Sequence, residues 1–372
     1  MNILILTTHL NPGGVSRYVI NLAGALKQKG HQVWVASSSG VWIDKLKSLG
    51  VNHKIIPIKT KSIVSIKILF SLIQLFPFLL RHNISIVHCN TRVTQALGFF
   101  IHSCLRIPYI SAFHGFYRPS IFRKIFQFSG SKAITVSKAV KKHIIEDLGV
   151  DGDKTRVVYN GIDKEEFTLR GNNRDRGGFK ESDYLIGILG RISEEKGHFL
   201  AVEAIAALIP SRAQAGASGL SRGYKDIYLL ISGTGKMEEK LKLFVETKGL
   251  KSRVKFVNRE ADNFLDSIDL LIVPSRKEGF GYSIVEAFFK EVPVVGFNTG
   301  GISEIIKNCQ NGVLFNEYNS FSLAKAIEKV FLDKELKEKI IVNAKKDVSR
   351  WTAQRMAEDT LSVYNEALKR NA

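Results

Sequence analysis

Short apolar runs alternate along this chain with longer stretches in which apolar residues return every three or four positions. Ile3-Leu4-Ile5-Leu6 reads as a buried strand. After it, Val15, Tyr18, Val19, Leu22 and Leu26 recur at helical spacing and Gly30 ends the helix. Further strands are expected at 32–36, 54–58, 84–89, 109–113, 133–136 and 156–159, with helical runs between them. A second series follows at 184–189, 227–231, 254–257, 269–274 and 292–296. Strands that alternate with helices imply doubly wound parallel sheets, an α/β architecture. In such sheets ligands bind beyond the carboxyl ends of the strands, so the turns after the strands are the places to look for chemistry.

The most informative turn follows 269–274. It runs Ser275-Arg276-Lys277-Glu278-Gly279-Phe280-Gly281 and leads into a helix that carries Glu286. Two acceptor-only side chains bracket it, which suits a hydroxyl-rich ligand such as a sugar joined to a ribose. Gly279 and Gly281 let the backbone approach a ligand without a Cβ. A second turn, Gly190-Arg191-Ile192-Ser193-Glu194-Glu195-Lys196-Gly197, sets an Arg and a Lys where both can reach one diphosphate. A third, Ser232-Gly233-Thr234-Gly235-Lys236, also carries two glycines. In the first half, Gly13 and Gly14 open a helix, a ready place for a phosphate. His114 ends the strand 109–113, beside Gly115.

The Glu278-x7-Glu286 spacing, within Pro274-Ser-x-x-Glu-Gly-Phe-Gly and followed by Pro293 and Gly300-Gly301, resembles the retaining nucleotide-sugar glycosyltransferases of family 4 (group 1). The resemblance implies the GT-B fold: two facing Rossmann-like domains with doubly wound parallel sheets and an interdomain cleft. It also implies residue roles. Glu278 and His114 would orient the donor sugar, and Glu286 would hold the ribose hydroxyls. Arg191 and Lys196 would neutralise the departing diphosphate. Gly13, Gly14, Gly190, Gly233, Gly235, Gly279, Phe280 and Gly281 would line the substrate. The family usually has Gly-x-Gly-Pro where this chain has Gly233-Thr234-Gly235-Lys236, so the stiffness of that turn differs. A metal-independent hexosyltransferase is implied, with no cofactor beyond a UDP-, GDP- or ADP-linked donor. Two rivals belong to other classes: a sugar-nucleotide epimerase or phosphorylase on the same fold, and a basic nucleic-acid-binding protein.

Asn160-Gly161-Ile162-Asp163 resembles the family's interdomain junction, and the polar run 170–178 reads as a linker. Residues 1–164 would bind the acceptor and 165–354 the nucleotide-sugar. A last helix, 355–372, would return to the first domain; Trp351, Met356, Leu361 and Tyr364 are read as its apolar face. The Ser/Gly/Ala/Arg stretch 211–223 reads as a low-complexity loop. Asp151-Gly152-Asp153 reads as a polar turn, and no metal site is expected.

Charge adds a partner. The net charge is +19, and residues 1–164 hold 22 Lys/Arg against 6 Asp/Glu. So basic a first half points to a polyanion. No helix-turn-helix, zinc-finger, RRM or KH pattern accompanies it, which favours an anionic membrane surface over nucleic acid. The run 63–80 is apolar but contains Lys67, Gln74 and Pro77, so it reads as a sheet-covering helix or as a segment lying on a bilayer, not as a span. Ile121, Phe122, Ile125 and Phe126 would share a helix face, set either in the core or at an interface. Three widely spaced cysteines and a chain that starts as a strand suggest a reducing compartment and no signal peptide. The expectation is a cytoplasmic enzyme, peripheral on the membrane, serving lipopolysaccharide or polysaccharide assembly through a lipid-linked or polysaccharide acceptor.

Overall fold

The computed structural model describes residues 1–166, 175–209 and 227–369. The loop expected at 211–223 and most of the run 170–178 lie outside the described residues. The chain divides into two compact units, Met1–Asp163 with Arg350–Ala372, and Lys164–Ser349.

The first unit holds β1 (Asn2–Leu6), β2 (Gln32–Ser37), β3 (Asn52–Ile55), β4 (Ile86–Cys89), β5 (Tyr109–Phe113), β6 (Lys132–Thr135) and β7 (Thr155–Val157). All pair in parallel, in the order β3-β2-β1-β4-β5-β6-β7. The second unit holds β8 (Tyr184–Leu189), β9 (Ile227–Ser232), β10 (Val254–Val257), β11 (Leu270–Val273), β12 (Val294–Phe297) and β13 (Val313–Phe315). Their order is β10-β9-β8-β11-β12-β13, again parallel. Helices cover both faces of such sheets, which is why Ile3–Leu6 and Leu270–Ile272 are apolar at consecutive positions and fully buried. The strand order reverses between β1 and β4, and between β8 and β11. Those are the switch points at which an open sheet leaves a crevice.

Several boundaries differ from the sequence reading. The third strand pairs at Asn52–Ile55, two residues before the expected 54–58. Ile56 and Ile58 are buried all the same, because the chain beyond the ladder still passes over the core. β13 was not anticipated; three residues are too few to show a period. Trp351 is not on the last helix. It ends a 3-10 turn, Val348–Trp351, and the helix proper is Ala353–Lys369. Thr352 Oγ1 accepts from the Arg355 amide and so marks the helix start after Trp351.

That helix belongs to the first unit. Glu366 bonds Lys132 at 2.8 Å and Arg156 at 2.9 Å, and those two partners, Lys132 foremost, hold its carboxyl below the usual range. Lys29 meets Glu358 at 2.8 Å. Asp151 accepts from the Asp153 amide at 2.8 Å, the geometry of a polar turn.

The helix Ile66–Arg81, capped by Ser65, turns Ile68, Ser71, Leu75 and Leu79 to the core. Its opposite face is also apolar and is exposed. The helix Ile121–Ile125 has no buried residue, so the core alternative for its aromatic face does not hold. Five residues form too short a helix to reach the sheet while Ser120 caps it at the surface.

Candidate active site

In the second unit the turns after β8, β9, β11 and β12 are fastened to one another through backbone. Gly190 donates to Ser232 O at 2.9 Å, and Ile192 to Thr234 O at 3.0 Å. A Cβ on Gly233 would stand 2.1 Å from Gly190 O, and one on Gly235 2.1 Å from Ile192 O. Both glycines are thus required by the neighbouring turn itself. Gly190 has nothing within 4 Å of the Cβ position, so its face is open. Arg276 N donates to Glu195 O at 2.8 Å, and Gly301 N to Glu278 O at 2.9 Å. The four turns therefore form one connected rim at the carboxyl ends of the strands.

Upon that rim Lys196 Nζ lies 2.5 Å from Glu278 Oε2, both side chains largely withdrawn from solvent. Lys196 ends the 3-10 turn Glu194–Lys196, and Glu278 sits just before the helix Tyr282–Phe289. Arg191 is placed differently. It is 70% exposed and reaches Glu195 Oε1 at 3.0 Å. The Glu195 carboxyl is held below its usual range by its own backbone amide first, with Ser193 and Arg191 adding to it. Glu286 lies inside the unit at 2% exposed, because its helix buries five consecutive residues from Ile284 to Phe288. Gly279 O sits 2.5 Å from the Cβ position of Gly301, and Phe280 is buried with its ring 5.4 Å from that of Tyr282.

Two further groups of this unit carry no sequence signal. His198 is buried beside Gly197, and among the described residues neither ring nitrogen has a hydrogen-bond partner. Burial, and then Lys196, push it down to about 4. Lys290, fully buried, joins Asp262 at 2.7 Å and Asp266 at 2.9 Å and ties two helices together.

The remaining expected residues are in the first unit. Gly13 caps the helix Gly14–Gln28 with no side chain, and nothing lies within 4 Å of its Cβ position. His114, after β5, has its Nε2 3.0 Å from Asn90 Oδ1. The Asn90 amide group donates instead to Leu6 O at 3.2 Å, so its oxygen is the atom that faces the histidine. Nε2 must then carry the proton. Burial pushes His114 down to about 3, so the ring is neutral at pH 7 and Nδ1 is left as an acceptor. The Tyr18 ring meets His114 edge-on at 4.6 Å. Behind them His88 Nδ1 lies 2.8 Å from the Tyr364 hydroxyl and Nε2 3.4 Å from that of Tyr18. Of the groups that sequence reasoning missed here, Asn90 and His88, Asn90 has a readable signal, its place at the end of the switch-point strand β4.

Comparison with known proteins gives this arrangement a family. Residues 170–347 match the family described as Glycosyl transferases group 1, and residues 12–166 match Glycosyltransferase Family 4. An uncharacterized glycosyltransferase of Methanocaldococcus jannaschii is 26% identical, over 99% of each chain. A UDP-Gal:alpha-D-GlcNAc-diphosphoundecaprenol alpha-1,3-galactosyltransferase of Escherichia coli is 26% identical, over 81% of this chain and 80% of that one. Among solved structures, Anabaena HepE in complex with UDP-glucose superposes with a TM-score of 0.83 at 21% identity, covering 98% of this chain and 100% of that one. With one transferase family matched on each unit, and two parallel sheets of the same kind as its structural neighbours, the chain belongs to the group 1 glycosyltransferases and has the GT-B fold.

Proposed function

We propose that this enzyme moves a hexose from a nucleotide-sugar to a hydroxyl of a membrane-associated glycan or glycolipid, with the anomeric configuration retained. The contact between Lys196 and Glu278 carries the reading, since it sets a cation and a hydroxyl acceptor at the strand ends of the second unit. Both are poised to exchange partners. A diphosphate takes the Lys196 ammonium, and Glu278 turns to the sugar hydroxyls. Arg191, exposed beside the open Gly190, adds its guanidinium to the same phosphates. Glu286 holds the ribose, and His114 accepts a sugar hydroxyl at Nδ1. The anomeric C–O bond to phosphate breaks, a bond to the acceptor oxygen forms, and the acceptor proton passes to the departing phosphate. Two cations offset the charge of that leaving group, so no metal is called for in this scheme.

The Escherichia coli relative supports the acceptor class, since its name gives a diphosphoundecaprenol-linked sugar, and the Anabaena neighbour supports a uridine diphosphate donor. The basic first half supports a peripheral place on an anionic membrane surface. Among the described residues no helix is long and apolar enough to cross a membrane.

A thermal-shift panel of UDP-, GDP- and ADP-linked hexoses tests the donor. The right one, at 100 times its dissociation constant, adds about 2.7 kcal/mol of stability. A panel with no stabilising member, under conditions where Lys196→Ala and wild type behave alike, would remove the reading. Proton NMR of the glycoside product reports retention directly.

A further inference from the structure

The outward face of the helix Ile66–Arg81 carries Ile66, Leu69, Phe70, Ile73, Phe76 and Leu80, all exposed. Isolated exposed apolar residues are ordinary, but six on one helix face form a patch that needs a partner. The short helix Ile121–Ile125 adds Ile121, Phe122 and Ile125, with Phe126 just beyond it. Between the two apolar segments lies a groove of about 300 Å³, lined on one side by Lys61–Val64 and on the other by Ser120, Phe122 and Arg123, with Arg92 contributing.

Three cations therefore meet in one groove. Among the described residues no carboxylate pairs with Lys61, Arg92 or Arg123. The Arg92 guanidinium gives one N–H to Gln127 O at 3.2 Å and stacks 5.1 Å from the Phe128 ring, while its buried Nη2 has no hydrogen-bond partner among the described residues. Burial, and then the nearby Arg123, push Arg92 down to about 10, which leaves it charged at neutral pH. Like charges held together with a donor unused are costly until an anion arrives. A soluble anion accounts for the cations but not for the apolar faces on both sides of them. A lipid accounts for both.

We propose that this face docks on an anionic bilayer, with the phosphate of a lipid headgroup seated among Lys61, Arg92 and Arg123 and the exposed apolar side chains sunk into the acyl boundary. The inference deepens the membrane-acceptor reading above and rests on it only for why the enzyme should be at a membrane.

Vesicle sedimentation tests it on the whole chain. Wild type binds phosphatidylcholine vesicles containing phosphatidylglycerol far better than pure phosphatidylcholine. The double variant Arg92→Gln, Arg123→Gln weakens binding to the mixed vesicles on the order of 30-fold, from two lost cations near the surface. Phe70→Ser with Ile73→Ser lowers binding to both vesicle types. Melting temperatures of all variants near that of wild type show that they are folded. Mixed-vesicle binding unchanged in the arginine variant overturns the assignment. So does inorganic phosphate, without vesicles, raising the melting temperature of wild type but not of that variant, since the groove would then serve a soluble anion. In either case stabilisation by a nucleotide-sugar is unaffected, so the transferase reading is judged separately.

Discussion

Lys196 and Glu278, 82 residues apart in the chain, meet at 2.5 Å on the rim of the second sheet. The pair is more than a stabilising contact. The pair keeps part of its surface in water on an open rim, so it contributes only modestly to stability, and replacing one partner should cost little in melting temperature. A cation facing a leaving group is different, because charge develops there in the transition state. Lys196→Ala is therefore expected to lower kcat/KM by about 10²–10³ while the melting temperature hardly moves. Steady-state kinetics beside a thermal melt would show this; a loss under threefold would separate Lys196 from the chemistry.

Asn90 sets which nitrogen of His114 holds the proton. Heteronuclear NMR of the imidazole is expected to show the Nε2–H tautomer at neutral pH, and Nδ1–H would contradict the assignment. Asn90→Asp replaces the amide oxygen by a carboxylate, which favours the imidazolium. The titration midpoint of His114 then rises by roughly 1–3 pH units, and transfer slows at pH values where the ring has become charged and Nδ1 no longer accepts.

What could be read in the chain before folding follows from distance along it. The turn with Glu278 and the turn with Lys196 each announce themselves, because strand, glycines and helix are adjacent in sequence. The groups behind His114 do not. Tyr364 reaches His88 from 276 residues away, and no local pattern marks either. The run 63–80 was ambiguous for a physical reason as well. A helix with a core stripe and an apolar outer face keeps only a narrow polar line, here Lys67, Gln74 and Arg81, by which to orient it. Glycines carry a second meaning. Gly233 and Gly235 are read from sequence as ligand-facing positions, and the structure adds a separate reason for a glycine at each, since the carbonyls of the neighbouring turn occupy the space a side chain would need.

Gly235→Ala isolates that last effect, since its backbone is not in the left-handed region and the clash with Ile192 O and N at 2.1 and 2.8 Å is purely steric. Two backbones must part to admit the methyl group. A loss of about 2 kcal/mol or more in urea denaturation is expected, with weaker donor binding as the turn carrying Lys196 shifts. Gly115→Ala, where nothing lies within 4 Å, serves as the control and should stay within about 0.5 kcal/mol of wild type. Equal stability for the two variants would mean that the turns are not fastened as described.

The polar interior of the first unit makes stability depend on pH in a defined window. Burial pushes His88 down to about 3, with the neighbouring His114 adding to it, and His114 down to about 3 as well. Unfolded, each titrates near 6.5. Below that value the unfolded chain binds more protons than the folded one, so stability is fully present above pH 6.5 and falls as pH drops toward 3. Each histidine costs up to about 1.4 kcal/mol per pH unit within that window. Carboxylates contribute mainly below pH 5, so the interval from about 5 to 6.5 reports the histidines. Other histidines shift in the same direction, so the comparison is made against single variants. Urea midpoints measured across that interval should slope upward with pH for wild type and less steeply for His88→Gln and for His114→Asn. Identical slopes in all three proteins would mean that neither ring is held neutral by the fold.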